Sequence, residues 1–473
     1  MAAVVLRDYQ GRMIRDAKRE LSVPDVSSVL IQAPTGAGKT ALASFIIGET
    51  AAKGQRAWFI VHRSELLLQT SLTFKKYGIE HGFIAAGQPV NLMQLVHLCS
   101  IDTLKNRLAQ LKPPKVAIID ECHHANATGW ALVIQWLIEG GTYVIGLSAT
   151  PKRLDGQGLG DIFQRLVRGP SVAWLMEHGH LARYQAFIPD VPDMKGVRKQ
   201  FADFSKKESA ERMDKPKLTG NIITHWRKYA EGLRTIGFGV NVGHSTHLAE
   251  AFTRAGIPAA HLDGGTDKGD RKQIIRDYAA GRYAVLFNVG LFGEGFDLSA
   301  IAQTDVTIDC VIDAAPTQSL GNVVQRWGRA LRPGEVKTKI ILDHAGNMLR
   351  HGFPEDEREW SLDGEVKVGG GGSDGPPPPV ICKECFNAIK RPLPPTCPCC
   401  GTSLAPQQRE IEVAEGELNA ASEAAKESIR AKLRREEQQA KSIGELAAIY
   451  AKRGDKNPQG KAVASWGSRR FKR

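Results

Sequence analysis

Two series of short apolar runs, each followed by a helix-like pattern, occupy most of the chain. The first series has runs at residues 28–31, 56–61, 96–100, 116–119 and 143–147, and the second has runs at 238–242, 257–262 and 283–288. Apolar runs of this length are typical of strands buried on both faces, and their alternation with helices favours parallel sheets covered by helices. The sequence therefore predicts an α/β fold with two tandem parallel-sheet domains.

Changes in composition set the expected domain limits. Residues 1–180 hold the first series and residues 221–360 hold the second. Between them, residues 181–220 lose the periodicity, and we expect a partly mobile connector whose charges form a solvated face.

Three further segments follow the second domain. Residues 361–380 are a glycine and proline linker, and residues 381–404 crowd the cysteines. Residues 405–473 are a charged helical and basic tail, in which residues from about 407 to 453 are predicted to form one exposed helix or a pair of helices. From residue 461 onward basic side chains interleave with aromatic ones, which fits either a contact for single-stranded or junction DNA or a disordered end.

A glycine-rich turn joins the first apolar run to the following helix. Residues 33–40 are Ala-Pro-Thr-Gly-Ala-Gly-Lys-Thr, the A-x-T-G-x-G-K-T variant of a phosphate-binding loop. The glycines let backbone N–H groups point at a polyphosphate, the lysine neutralises the β and γ phosphates, and the last hydroxyl holds Mg²⁺. A flexible turn with a surface lysine is the alternative. The predicted phosphate-binding residues are Thr35, Gly36, Ala37, Gly38, Lys39 and Thr40.

Two acids follow the fourth apolar run of the first domain. Asp120 can hold the Mg²⁺ shell and Glu121 can polarise a water that attacks the γ phosphate, although a capped strand end is the alternative. Ser148 and Thr150 end the next run, and beside His123 their hydroxyls could relay the state of the nucleotide across the sheet edge.

Polar side chains at two other places could complete a nucleotide site. Gln10, near the start of the chain, has an amide that could pair with one adenine edge. Arg329 and Arg332 lie three residues apart, so they share one face if the helix persists there. Two guanidinium groups suit the charge of a transferring phosphoryl group, whereas a solvated basic helix is the alternative.

Composition narrows the class of protein. Hydrophobic residues make up 42% and charged residues 24% of 473 residues, which is ordinary for a globular protein. The net charge of +12 suggests a polyanionic partner such as nucleic acid. Apolar runs are too short to span a bilayer, and the first residues lack the apolar core of a signal peptide, so we expect a cytoplasmic protein without a membrane partner.

Five of the eight cysteines crowd into one short span. Cys382 and Cys385 form one C-x-x-C pair, and Cys397 and Cys400 form another about a dozen residues later. This paired spacing predicts a structural zinc site with four thiolates and no catalytic duty. Cys399 lies between ligands and could compete with a neighbour.

The order of these motifs resembles the superfamily 2 helicases, the DEAD/DEAH-box relatives with two RecA-like domains. The resemblance covers about residues 6–347 and rests on segments 6–10, 33–40, 120–123, 148–150, 293–297 and 325–332. Within that superfamily, segments 6–10 and 343–347 and the zinc-ribbon-like tail are most similar to the RadD-like DNA repair helicases, while UvsW and XPB are looser matches.

The resemblance implies roles for further residues. Arg7 and Gln10 belong to the adenine motif, and Gly295 and Asp297 would lie near the nucleotide. Gln325, Arg329 and Arg332 would act in catalysis, the arginines as fingers reaching the ATP held by the first domain. The positions that would touch the nucleic-acid backbone are Arg63, Ser100 and Thr103.

These features together predict an ATP-dependent DNA helicase or translocase acting in replication, recombination or repair. It would use ATP, Mg²⁺ and Zn²⁺, and its partner would be single-stranded, forked or branched DNA. Three alternatives remain: an RNA helicase of the same architecture, a double-strand translocase that remodels forks without separating strands, and a zinc-dependent DNA-binding or annealing factor regulated by ATP.

Overall fold

The computed structural model describes residues 4–124, 128–153, 157–189, 191–200, 203–293, 298–363, 377–404 and 423–470. Residues Met1–Ala405 form one compact unit and Pro406–Arg473 form another. Among the described residues, no helix combines the length and the apolar character needed to cross a bilayer.

The first domain is built on parallel strands. Its elements are α1 (Asp8–Leu21), β1 (Ser28–Gln32), α2 (Lys39–Ala52), β2 (Ala57–Val61), α3 (Ser64–Lys76), β3 (Gly82–Ile84), β4 (Val96–Ser100), α4 (Ile101–Leu104), β5 (Val116–Asp120), α5 (Thr128–Glu139), β6 (Tyr143–Ser148), β7 (Arg165–Arg168) and α6 (Val172–Glu177). The strands pair in the order β3-β4-β2-β5-β6-β1-β7. On β2, Trp58 packs into one buried cluster and Phe59 into the other, because successive side chains point to opposite faces of the sheet.

The second domain repeats this plan. Its elements are β8 (Arg183–Phe187), β9 (Lys199–Gln200), β10 (Asp203–Phe204), α7 (Lys206–Met213), α8 (Pro216–Ala230), β11 (Thr235–Phe238), α9 (Val242–Arg254), β12 (Ala259–Leu262), α10 (Lys268–Ala279), β13 (Val285–Asn288), α11 (Leu298–Ala302), β14 (Cys310–Asp313), α12 (Leu320–Trp327), β15 (Thr338–Asp343) and α13 (Asn347–His351). Six strands form a parallel sheet in the order β12-β13-β11-β14-β15-β8. The prediction of two tandem parallel-sheet domains is confirmed.

Two local predictions are wrong. The strand expected at residues 238–242 ends at Phe238, because Asn241 caps α9 and accepts a hydrogen bond from the His244 N–H at 2.9 Å. The expected connector at residues 181–220 is ordered secondary structure for much of its length: β8 pairs with β15, and α7 and the start of α8 follow. The edge strand of the second sheet thus precedes the other strands in the chain.

After the second sheet the chain returns to the first domain. The Gly160 N–H donates to the Leu362 carbonyl at 2.9 Å, and Arg168 donates to the Trp360 carbonyl at 2.7 Å. The two domains are therefore joined both through the residues before β8 and through this returning segment.

A small ribbon, β16 (Val380–Ile381) and β17 (Ala388–Ile389), docks on the edge strand β8. The Ile188 N–H donates to the Phe386 carbonyl at 2.8 Å, and Phe187 pairs with Asn387 in an antiparallel bridge. The Tyr229 hydroxyl also donates to the Cys385 carbonyl at 2.9 Å. Main-chain bonds thus fix the ribbon to the second domain.

The described residues of the second unit, 423–470, form the helices α14 (Glu423–Gln439), α15 (Ile443–Lys452) and α16 (Pro458–Arg470). Ala440, Leu446, Tyr450 and Ala462 form its small buried cluster. The basic end predicted from residue 461 continues as helix through Arg470, and residues 471–473 lie outside the described part of the chain.

Candidate nucleotide and nucleic-acid sites

The turn between β1 and α2 has the backbone conformation of a phosphate-binding loop. Gly36 and Gly38 have φ angles of 87° and 83°, in the region that favours glycine. Gly38 also caps α2, so the helix N-terminus faces the same space. A Cβ atom at Gly38 would lie 2.4 Å from Nε2 of Gln10, which leaves no room for another residue there.

The lysine of this loop meets the acids at the end of β5. Nζ of Lys39 lies 2.7 Å from Oε1 of Glu121. Burial works to lower the pKa of Lys39, but the carboxylates of Glu121 and Asp120 outweigh it and raise that pKa. Burial, followed by the charge of Glu121, raises the pKa of Asp120 to about 6. The lysine of the phosphate-binding loop and the two acids at the end of β5 therefore share one charged site.

Glu121 has an unusual backbone conformation. Its φ angle is 47°, and non-glycine residues in this region often lie at functional sites. The turn aims the carboxylate at Lys39 on one side and at His123 on the other, with Nδ1 of His123 lying 3.5 Å from Oε2. No feature of the sequence indicated this backbone geometry.

A chain of contacts runs from His123 to the second domain. Nδ1 of His123 lies 3.1 Å from Oγ of Ser148, which donates to the Thr150 carbonyl at 2.8 Å. A Cβ atom at Gly321 would lie 3.4 Å from Oγ1 of Thr150, so α12 begins beside Thr150. The three predicted coupling residues are adjacent and reach the domain boundary.

The two arginines do not lie on one helical face as expected. Helix α12 ends at Trp327, and Arg329 and Arg332 occupy the turns that follow, before Pro333. Arg329 nevertheless is 8% exposed and donates to the Gly293 carbonyl at 2.6 Å. The turn, not a helix, orients both guanidinium groups.

Two residues missed by sequence reasoning hold this turn against the first domain. Leu331 packs into a hydrophobic cluster of the first domain, and its carbonyl accepts a hydrogen bond from the Ala182 N–H at 2.8 Å. A Cβ atom at Gly328 would lie 2.5 Å from Cγ2 of Thr35, so only glycine permits this approach. The sequence feature that could have identified Gly328 is a glycine within a basic stretch that otherwise has a helical pattern.

One cavity of about 340 Å³ collects the predicted nucleotide residues from both domains. Its wall also contains residues that sequence reasoning did not identify, namely Leu66, Gln69, Thr70 and Thr73 of α3, His180, Gly293 and Pro333. Gly295 and Asp297 lie outside the described residues. The predicted residues in the wall are Arg7, Thr35, Gly36, Gly38, Lys39, Thr40, Asp120, Glu121, Gln325, Arg329 and Arg332.

Gln10 makes contacts other than the expected one. Its Oε1 accepts from the Arg7 N–H at 2.9 Å, and its Nε2 donates to the Ala37 carbonyl at 2.9 Å. The Tyr9 hydroxyl donates to the same carbonyl at 2.9 Å. The amide thus links the start of α1 to the phosphate-binding loop, and its pairing with adenine stays a prediction.

A second cavity, of about 580 Å³, forms a cleft between the domains. Arg63 and His124 line it from the first domain, and Asn322, Gln325 and Arg326 line it from the second. Gln325 lines the nucleotide cavity as well. We call this cavity the interdomain cleft.

The other two predicted nucleic-acid residues are placed differently. The Thr103 hydroxyl accepts a hydrogen bond from the Ala86 N–H at 3.0 Å and supports a loop of the first domain. Ser100 ends β4 and is half-buried. Among the described lining residues of the interdomain cleft, only Arg63 comes from the predicted set.

The four predicted zinc ligands lie together in the ribbon. Their sulfur atoms are all within 4.8 Å of one another, and two pairs are 3.6 Å apart. Tetrahedral coordination at about 2.3 Å places sulfurs about 3.8 Å apart, so this set fits zinc. Cys399 is exposed and stands outside the described cluster. The set that would hold the metal is Cys382, Cys385, Cys397 and Cys400.

Comparisons with known proteins agree with this geometry. Residues 3–153 match the family described as "Type III restriction enzyme, res subunit", and residues 217–334 match "Helicase conserved C-terminal domain". A "51.5 kDa protein" of a Lactococcus phage is 32% identical over 75% of this chain and 73% of its own length.

Two further relatives have descriptive names. The "Putative ATP-dependent helicase IRC3" of Saccharomyces cerevisiae is 27% identical over 73% of this chain, which spans 52% of that protein's length. The "DNA 3'-5' translocase XPB2" of Sulfurisphaera tokodaii is 24% identical over 72% of this chain and 81% of its own length.

The fold likewise has solved counterparts. The "ATP-dependent Type ISP restriction-modification enzyme LlaBIII bound to DNA" superposes with a TM-score of 0.51 at 16% identity, over 71% of this chain and 27% of that one. The fold, the motifs and the relatives define an ATP-hydrolysing enzyme of the helicase class. The chain belongs to the superfamily 2 helicases, in the DExH group.

Proposed function

We propose that this helicase couples ATP hydrolysis between its two domains to movement on DNA or unwinding of DNA, in a RadD-like role in replication, recombination or repair. The observation that carries the proposal is the shared nucleotide cavity. Lys39 and Glu121 enter it from the first domain, and Gln325, Arg329 and Arg332 enter it from the second. A change in the nucleotide must therefore change the forces between the domains.

Each side chain has a role in the proposed reaction. Lys39 and Thr40 bind the phosphates of ATP, and Glu121 orients and deprotonates the attacking water. Arg329 and Arg332 neutralise charge on the transferring phosphoryl group. Asp120 and Thr40 would hold Mg²⁺, which supplies charge neutralisation at the phosphates.

Coupling is proposed to run through α12 and through the contacts from Glu121 to Thr150. Glu121 contacts His123, His123 contacts Ser148, and Thr150 lies beside Gly321 at the start of α12. Conversion of ATP to products changes the charge facing Glu121, and these contacts carry that change to the second domain. Alternation of the domains then moves the protein along its strand.

Three observations support DNA as the polymer. The net charge of +12 favours a polyanion. One relative is named a DNA translocase, and the motif order and cysteine ribbon resemble the RadD-like repair helicases.

The phage relative favours the cytoplasm as the place of action, that of a host cell if the chain is viral.

Steady-state ATPase assays test the proposal. Wild type and Lys39→Ala are compared without polymer and with single-stranded DNA, forked DNA and RNA. We expect stimulation by DNA that the variant lacks. Equal stimulation by RNA would favour an RNA helicase, and no stimulation by any polymer would contradict the motor function.

Strand displacement with a labelled fork then separates the remaining possibilities. A product that requires ATP hydrolysis identifies unwinding. ATPase stimulation without product identifies a translocase. Without ATPase stimulation, the lack of any product that depends on hydrolysis identifies a binding or annealing factor.

A further inference from the structure

A groove of about 800 Å³ lies between the second domain and the ribbon, apart from the nucleotide cavity. Its floor is apolar and includes Ile188, Leu218 and Phe386. Its rim carries four cationic side chains, Arg212, Lys215, Lys217 and Lys383, against one acid, Asp193. We call it the ribbon groove. An apolar floor with a cationic rim is complementary to a single nucleic-acid strand.

The two walls of the ribbon groove are fixed to each other. The main-chain bond between Ile188 and Phe386 closes one end, and the Tyr229 hydroxyl holds the Cys385 carbonyl. Lys390 of the ribbon also pairs with Asp356 of the second domain. The groove is therefore a preformed feature of this unit.

Phe386 adopts a backbone conformation that large residues rarely adopt. It follows the first C-x-x-C pair with a φ angle of 59°, whereas Gly401 follows the second pair with a φ angle of 75°. Glycine would suit both positions equally well. The phenyl ring lies edge-on to His225, with ring centroids 5.4 Å apart, and lines the ribbon groove. This aromatic surface is present despite its conformational cost.

Helix α7 connects the ribbon groove to the interdomain cleft. Lys206 and Ser209 line the cleft, while Arg212 and, just past the helix, Lys215 line the groove. Because six residues of helix span only about 9 Å, the cleft and the groove lie close to each other. The hairpin before α7 is anchored to the second domain, since the Asp203 carboxylate accepts from the Thr317 hydroxyl and the Gln318 N–H. Cationic side chains thus lie at both ends of α7, Lys206 at the cleft and Arg212 at the groove, with the acids Glu208 and Glu211 between them.

We propose that a single DNA strand leaving the interdomain cleft passes along α7 and binds in the ribbon groove. There Lys215 and Lys383 contact phosphates and Phe386 stacks on a base. The proposal rests on the proposed function, because it takes the protein to move on DNA, and it adds that the strand passes through the interdomain cleft, which the predicted nucleic-acid residue Arg63 lines. It assigns the ribbon a second DNA contact that is separate from the motor.

Charge reversal tests the phosphate contacts. Lys215→Glu/Lys383→Glu is compared with Lys53→Glu/Lys76→Glu, two exposed lysines at the far ends of α2 and α3. Anisotropy titrations use two labelled oligothymidylates. One has about 8 nucleotides, which is within the usual site size of a single-strand-binding module and so fills the cleft alone, and the other has about 20 and so can reach the ribbon groove as well. The salt concentration is varied for each.

We expect weaker binding of the long oligonucleotide in the groove variant only. Two lost contacts reduce the slope of log K against log salt by about 1.4, so the wild-type affinity falls about sevenfold more than that of the variant between about 50 and 200 mM salt. Binding of the short oligonucleotide, and binding by the control variant, should stay at wild-type values.

Phe386→Gly tests base stacking separately, because glycine accepts the backbone conformation. We expect an intact zinc content, measured with a colorimetric chelator, and weaker binding of the long oligonucleotide. Wild-type affinity and salt slope in both groove variants would overturn the proposal. So would an acidic, apolar peptide that binds wild type but not Lys215→Glu/Lys383→Glu while DNA binding is unchanged. Failure of wild type to bind even the short oligonucleotide would instead contradict the proposed function.

Discussion

Asp313 provides a test of how the second domain positions Gln325, Arg329 and Arg332, the side chains that we propose act in catalysis. It ends β14, is fully buried, and accepts hydrogen bonds from Arg326 at 3.1 Å, Trp327 at 3.0 Å and Asn347 at 2.9 Å. Arg326 and Trp327 belong to α12, which also carries Gln325. The carboxylate thus ties this helix to the sheet.

Asp313→Asn removes the charge and keeps the shape. The amide would leave Arg326 without its carboxylate and would place an NH₂ group near other donors. Removal of one partner from a buried ion pair costs about 3–5 kcal/mol of unfolding free energy. Displacement of α12 by about 1 Å would reduce kcat by about 10²-fold, because catalytic groups need accurate placement.

The matched control lies at the other end of the same strand. Asp309 precedes β14 and pairs at 2.5 Å with the buried Lys339, so Asp309→Asn should lower stability by a similar amount. It lies away from the nucleotide cavity and should leave kcat unchanged. Urea unfolding gives the stabilities, and DNA-stimulated ATPase at low temperature gives kcat. Equal kcat values in the two variants would refute the assignment of Asp313 as a positioning residue.

Three more predictions concern the nucleotide site and the ribbon. Since burial and Glu121 raise the pKa of Asp120 to about 6, this carboxyl gains a proton as the pH falls through 6 and should lose Mg²⁺. A Mg²⁺ titration of the ATPase at several pH values checks this, and an affinity that is flat across pH 6 contradicts it. Leu331→Ala should remove about 2–4 kcal/mol of packing between the domains and lower kcat. Limited proteolysis at the domain boundary measures the effect, and a cleavage rate equal to that of wild type contradicts the prediction. Cys382→Ser should release zinc to a chelator while the ATPase without DNA persists, and retained metal would argue against this ligand set.

Local sequence patterns were sufficient to predict the fold, and the residues that they predict for the first half of a nucleotide site lie together in the structure. The phosphate-binding loop needs glycines at positions with positive φ, directly between a strand and a helix, and the chain has both. Asp120 and Glu121 follow an apolar run, so their place at a strand end also followed from short-range sequence. Such features depend on neighbouring residues, and the structure places them together in one cavity.

The second half of the site depends on contacts between distant segments. Nothing near Leu331 indicates that it packs into the first domain, since an apolar residue there suits its own domain equally well. Arg329 and Arg332 do not share a helical face, because α12 ends at Trp327. Strand β8 was not predicted, because its partner β15 lies far along the chain. Strand pairings between segments so far apart in the sequence are determined only when the whole sheet assembles, so local sequence patterns do not predict them.

Helix α12 lines both cavities, so under the proposed function it is one element through which nucleotide and DNA would affect each other. Gln325 lines the nucleotide cavity and the interdomain cleft, while Arg326 faces only the cleft. If nucleotide and DNA both act on α12, each must change the affinity for the other by the same factor.

We therefore expect a nonhydrolysable ATP analogue and single-stranded DNA to strengthen each other's binding by equal factors, about 5–150-fold. Gln325→Ala should reduce both factors toward one, because it removes the side chain that lines both cavities. Equilibrium titrations of each ligand with and without the other measure the two factors. An unchanged coupling factor in Gln325→Ala would show that the domains communicate through other contacts, of which the path from His123 to Thr150 is the candidate on this structure.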